Sequence, residues 1–279
     1  MPVQLVLLFV LLTAIDIACQ LLRVWLVRIA PPGLGDIAWL LGALILSVAM
    51  IGAYRRLVGA LEQRRADELA TGLALRGLSG GALAGAALFG LVYLVLWAAG
   101  AASSGGFSGF GGAGRALGVA IESAIGEEIL FRGVLFRHLE SAFGTTLALA
   151  LSALAFGLVH AGNAGASWIS TLAIALESGV LLGVAYAATR SLWLPIGLHF
   201  GWNFTEGGIF GAAVSGGQYQ GLIPLRLSGP PWLTGAAFGP EASLPALLIA
   251  LGASAALGWY AVRRGTWQPP GWRLRAVRP

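Results

Sequence analysis

The run Glu127-Glu128-Ile129-Leu130-Phe131-Arg132 sets two acids and a base inside an apolar stretch. A charged side chain at the centre of a membrane helix costs about 2.5 to 3.5 kcal/mol on insertion scales, against a gain of about 0.3 to 0.6 for each Leu, Ile or Phe. Such a stretch either stays out of the bilayer or turns its charges to a protected interior where they serve chemistry. Helical phase separates the three charges. Residues four apart share a face and residues five apart diverge by about 140°, so Glu128 pairs with Arg132 and Glu127 is left as the unpaired carboxylate. An unpaired carboxylate in low dielectric is a candidate general base. Two of the three histidines also lie in apolar runs: His160 comes one turn after Phe156, and His199 one turn before Asn203. An acid, a histidine, and a histidine with an amide, carried on three helices, can converge on one buried polar pocket. A lone buried histidine is more often structural; it is the conjunction with Glu127 that reverses the balance. By the same weighing His138, beside Arg137, reads as interfacial and Glu177 as structural. Glu122, Glu206 and Asp16 read as headgroup-level groups, and Trp168, Trp193 and Trp202 as an aromatic belt.

The elements that must position these residues follow from composition. The 279 residues are 57% hydrophobic and 10% charged, where a soluble domain carries about a quarter charged, so the expected fold is an all-α, polytopic bundle with its site buried between helices. At roughly 20 apolar residues per crossing, about eight spans fit: Val3 to Val27, Asp36 to Tyr54, Leu78 to Ala99, Arg115 to His138, Thr145 to Ala161, Trp168 to Thr189, Leu192 to Phe210 and Ser243 to Val262. The apolar start without a basic leader reads as a retained first helix. Residues 1–76 read as a two-span hairpin with a basic cytoplasmic loop, 77–262 as the membrane-embedded core, and 263–279 as a basic cytoplasmic tail. Gly77, Gly81 and Gly85 place small residues along one face, where helices approach closely. Gly100 to Gly114 reads as a mobile loop; its Gly109, Gly111 and Gly114 match a dinucleotide fingerprint that has no meaning without a βαβ unit.

The positive charge, a net +5, comes from arginines clustered between apolar runs. They read as topology determinants that place both termini in the cytoplasm, with no nucleic-acid partner. Arg23, Arg28 and Arg226 do not follow that pattern, and the first two could snorkel. A single cysteine, Cys19, excludes an internal disulfide framework and a cysteine-rich metal site. The absence of lysine beside abundant Arg, Ala and Gly suggests a prokaryotic protein of the cell (inner) membrane.

Glu-Glu-x-x-x-Arg, then Phe-x-x-x-His, then His-x-x-x-Asn, in that order on successive spans, resembles the CPBP (Abi) family of intramembrane proteases, relatives of the type II CAAX prenyl endopeptidase. The resemblance runs from about Gly118 to Phe204. It implies that Glu127 and His160 activate a water, that His199 and Asn203 hydrogen-bond the oxyanion, and that Glu128, Arg132 and Phe156 support the site and shape the substrate entrance. It further implies catalysis without a metal; no His-Glu-x-x-His helix is present, although a Glu with two His could still form a zinc ligand set. The partners expected are the lipid bilayer and a membrane-associated protein or peptide substrate. A serine mechanism lacks its Gly-x-Ser-x-Gly element, and an aspartyl mechanism lacks its paired aspartates. A transporter that uses the same Glu and His cluster for protons or a cation, and a partner-binding scaffold that does not cut, remain as alternatives.

Overall fold

In the computed structural model, which describes residues 2–31 and 33–270, Pro2–Ile29 (α1) and Gly35–Glu62 (α2) form a hairpin. Two single 3-10 turns, Asp67–Leu69 and Thr71–Leu73, lead into Ala74–Ala98 (α3). Ala113–Glu128 (α4) passes through a π-helical stretch, Ile129–Phe136, into Arg137–Val159 (α5). Gly144 interrupts α5 with φ 77° and ψ 170°, angles that favour a residue without a Cβ, and the chain reverses there. The reversal returns His160 to the level of Glu127. Trp168–Ile174 (α6) and Val180–Thr189 (α7) flank a π-helical turn, Ala175–Gly179, and Trp193–Asn203 (α8) runs into another, Phe204–Ile209. After an irregular segment holding the short Pro231–Thr234 (α9), Leu244–Arg263 (α10) completes the bundle.

Every apolar run expected to span is helical, yet the division differs from eight separate spans. Among the described residues six helices are long and apolar enough to cross a membrane. The fourth and fifth expected spans lie in one run, Ala113–Gly162, turned at Gly144. The seventh is the short α8 with its π-helical extension. Gly100 to Gly114, expected to be mobile, is instead tied down: Ala102–Ser104 (β1) pairs antiparallel with Leu225–Leu227 (β2), and the amides of Gly105 and Ser108 donate to the carbonyls of Pro224 and Leu222, each at 2.9 Å. Of the basic tail, Arg273, Arg275 and Arg278 lie outside the described residues. The aromatic belt holds for exposed Trp168, whereas Trp193 and Trp202 are buried. Their indole N–H groups are spent internally, that of Trp193 on the Ala70 carbonyl at 2.9 Å, as a buried indole requires.

The short α8 is positioned by α3. A Cβ built on Gly81 would stand 2.5 Å from the Leu194 carbonyl oxygen, and one on Gly197 2.5 Å from that of Leu78. The two backbones are therefore in contact, as the glycine spacing led us to expect, and the height of His199 is set by this seam.

Hydrogen bonds sort the connections into two ends. At one end the Leu192 amide donates to the Glu68 carbonyl (2.8 Å), the Thr145 amide to the Gln268 carbonyl (3.0 Å) and the Gln4 side chain to the Leu61 carbonyl (2.9 Å). Here Arg137 pairs with Glu62, and Arg190 with Glu140. His138, expected to be interfacial, is buried at this end, with Nε2 3.2 Å from Glu62 and Nδ1 2.8 Å from the Val134 carbonyl. Arg64 grips Glu68 through both terminal nitrogens, at 2.9 and 2.8 Å. Burial alone would raise the Glu68 carboxyl, but its bonds from Arg64 and Tyr54 hold it below the ordinary carboxylate range. At the opposite end the Gly112 amide donates to Asp36 (2.8 Å) and the Asn163 side chain to the Ser215 carbonyl (3.0 Å). The first end collects Arg55, Arg56, Arg64, Arg65, Arg76, Arg137, Arg190, Arg263 and Arg264; the other has Arg23, Arg28, Arg115 and Arg226.

Gly81→Val should force α3 and α8 apart and lower stability by about 1 to 3 kcal/mol, the usual penalty of overpacking. Gly80→Ala, whose added Cβ meets nothing within 4 Å, should leave the midpoint of thermal unfolding in detergent close to that of the wild type.

Candidate active site

Glu128, at the end of α4, is fully buried, and one carboxylate oxygen serves two partners. Oε1 accepts from Arg132 Nη1 at 2.9 Å and lies 3.0 Å from His199 Nδ1. The Arg132 pairing is the one read from the sequence; the bond to His199 is not. Arg132 is itself 1% exposed. Its Nη2 donates to the carbonyls of Ser178 (3.0 Å) and Gly179 (3.1 Å), and its guanidinium stands 4.5 Å over the Phe156 ring. The two carbonyls belong to the π-helical turn Ala175–Gly179, where the wider ladder frees carbonyl groups for an outside donor. Glu177, on the same turn, is buried and bonded by Ser178 Oγ, in keeping with a structural role.

Glu127 faces the other way. Its Oε2 is 3.8 Å from His160 Nε2, too far for a direct hydrogen bond and a spacing that one water can bridge. His160 closes α5 with Nδ1 2.7 Å from the Phe156 carbonyl, so a neutral ring donates there and presents Nε2 as an acceptor. The Phe156 ring packs against both histidines, with centroids 4.8 Å from His160 and 6.4 Å from His199. Asn203, one turn beyond His199, donates to Ser123 Oγ at 3.4 Å. Glu127, His160, His199 and Asn203 together line one cavity of about 380 Å³. Among the described residues no three His, Cys, Asp or Glu side chains converge as a metal-ligand set.

A segment the motifs do not contain closes this cavity. Val214 to Gly217 folds over it as a strap, pinned by the Gly216 amide on the Phe238 carbonyl (2.7 Å) and by Asn163 on Ser215. Glu241 reaches in from beneath, 2% exposed, and accepts from the Ser215 amide. Its carboxyl is pushed up to about 7 by burial, against the lowering effect of the Ser215 amide and of His160 and His199 nearby. The Glu241 amide donates in turn to Glu206 (3.2 Å), whose other oxygen accepts from the Trp202 indole (3.1 Å). Glu206, expected at the headgroups, is thus fully buried behind the strap. An acid in a chain with so few charges was the one available pointer to Glu241, and the Gly- and Pro-rich loop around it masked that pointer.

Three further expectations are corrected on the other flank of α4. Glu122 is buried and paired with Arg23, which does not snorkel but lies buried, 4.1 Å from the centroid of the Trp39 ring. Asp16 accepts from Gln20 at 2.8 Å and lines a second cavity of about 200 Å³ with Arg23, Glu122 and Glu127. For Glu122 and Arg23 an inward-facing partner, invisible to span boundaries, replaces solvent.

The described bundle thus places an acid and two histidines on one internal cavity. Residues 110–205 match the family model described as type II CAAX prenyl endopeptidase Rce1-like, a stretch that runs from before α4 to the end of α8 and contains all three motifs. The matched residues are thus similar to CAAX-type membrane peptidases, and the apolar helices make the chain an integral membrane protein. No curated protein and no solved structure matches it. Glu241, Tyr219 and the strap lie beyond the matched residues.

Arg132→Met should strand the buried Glu128 carboxylate and cost about 3 to 5 kcal/mol. The double change Arg132→Met with Glu128→Gln should recover part of that loss in thermal unfolding. Because the fold holds the Glu241 proton more tightly than the unfolded chain does, that group's contribution to stability is full below its ordinary value of 4.5 and is lost as pH rises through about 7. Glu241→Gln should flatten this part of the melting-temperature profile against pH.

Proposed function

We propose that the chain is a glutamate-dependent intramembrane endopeptidase. The observation that supports it best is the 3.8 Å spacing of Glu127 and His160 on a cavity shared with His199 and Asn203. A water bridging Glu127 Oε2 and His160 Nε2 gives up a proton to this pair as it attacks the peptide carbonyl, and Glu127 then delivers the proton to the leaving amine. The developing oxyanion takes hydrogen bonds from Asn203 Nδ2 and His199 Nε2. Since Nδ1 of His199 is committed to Glu128, donation from Nε2 requires the doubly protonated ring. Arg132 holds Glu128, and Phe156 spaces the two imidazoles. No step uses a metal. On this reading the protein sits in a prokaryotic inner membrane with both termini cytoplasmic, and its substrate is a membrane-associated protein or peptide.

With purified protein and a panel of quenched peptides, Glu127→Gln should abolish cleavage, and Asn203→Ala should lower kcat by roughly 10² to 10³, the usual loss on removing an oxyanion donor. Chelators should leave the rate unchanged. Equal rates for the wild type and Glu127→Gln would sink the mechanism, and stoichiometric zinc that leaves together with activity would overturn the metal-free scheme. Glu127-dependent ion flux in proteoliposomes, without any peptide cleavage, would favour a transporter instead.

A further inference from the structure

The end of the molecule at which the cavity opens carries information about substrate that the motifs do not. Its mouth is built from Asn163, the Ser215 to Gly217 strap and Tyr219, all at the end that also joins Gly112 to Asp36 and Gly105 to Pro224. None of the residues lining it comes from the arginine-rich end, where Glu68, Leu192, Thr145 and Gln268 meet. His160 is the last residue before the connection on the mouth side, and the lining residues of α4 and α8 lie in the halves of their spans nearest that side.

Short loops and span ends rich in Arg stay in the cytoplasm. The two ends differ in their number of arginines, and Arg64, Arg137 and Arg190 at the basic end are held by Glu68, Glu62 and Glu140. We infer that the active-site cavity opens to the extracytoplasmic side, and that the substrate is a polypeptide segment presented at that surface, such as a stretch beside a membrane anchor or a peptide that has already crossed the bilayer. A lipid-modified tail made and displayed in the cytoplasm would meet the closed, basic end. The inference rests on the peptidase reading for what happens to the segment, but its geometry stands apart from that chemistry.

The two parts are tested separately in full-length protein carrying Cys19→Ser. Gln218→Cys marks the mouth and Asp67→Cys the basic end, both at exposed positions. In spheroplasts a membrane-impermeant maleimide should label Gln218→Cys, and should reach Asp67→Cys only after permeabilisation. The reverse pattern would overturn the proposal. Sealed right-side-out vesicles should hydrolyse an externally added quenched peptide without lysis and lose that activity in Glu127→Gln, whereas hydrolysis that begins only when the vesicles are opened would overturn it. If the protein in detergent cleaves no peptide at all, the peptidase reading falls and the substrate class with it, while the labelling still decides which way the cavity faces.

Discussion

The carboxylate of Glu128 is the point on which this architecture hangs. It is fully buried, and an ion so placed is tolerable only when its charge is balanced and its lone pairs are occupied. Arg132 supplies the charge from one turn away, and His199 supplies a second donor from α8. Arg132 in turn needs acceptors for its other terminal nitrogen, and Nη2 finds them in the carbonyls of Ser178 and Gly179. A chain of polar bonds therefore ties α4, the turn between α6 and α7, and α8 in fixed register. Truncating one member strands the others. The same bonds that make three charges acceptable inside a membrane protein orient His199 toward the cavity, so the cost of burial and the positioning of the site have one solution.

That solution depends on backbone devices with no chemistry of their own. The reversal at Gly144 lets one long apolar run present Glu127 going down and His160 coming back. The glycine seam between α3 and α8 sets how deep His199 and Asn203 sit. All three π-helical stretches fall beside site residues: Ile129–Phe136 follows Glu128, Ala175–Gly179 serves Arg132, and Phe204–Ile209 follows Asn203. Wide turns of this kind concentrate at functional sites because they re-aim side chains and release carbonyl groups.

The all-α class, the apolar runs and the Glu128 to Arg132 pairing were legible because they rest on composition and helical phase, which are local. The convergence of Glu127, His160, His199 and Asn203 was legible only as a pattern of motifs; their actual spacing required the turn at Gly144. Glu206, Glu122, Arg23 and His138 were misjudged for one shared reason. Distance from a span end was taken as distance from water, whereas each meets a partner: Glu206 the Trp202 indole one turn back on its own helix and the Glu241 amide, Glu122 and Arg23 each other, and His138 Glu62. Helix phase gives the face a residue occupies but not what stands opposite that face. Glu241 was missed because loop composition says nothing about where a loop folds, and the strap over the cavity is a long-range feature.

The inner face of α1 deserves the same reasoning. Much of that helix presents large apolar side chains outward, among them Val6, Leu21 and Trp25, as a lipid-facing helix should. Yet Arg23 turns inward and pairs with Glu122 on α4, and Asp16 lines the cavity that Glu122 and Glu127 border. Glu127 therefore borders two cavities, the larger one with the histidines and a smaller one walled by the first helix. A carboxylate flanked by polar groups on both sides is screened from acyl chains, where an ionised group is costly. The N-terminal helix, lying outside the residues that carry the three motifs, is thus part of the wall that keeps the Glu127 carboxylate out of lipid.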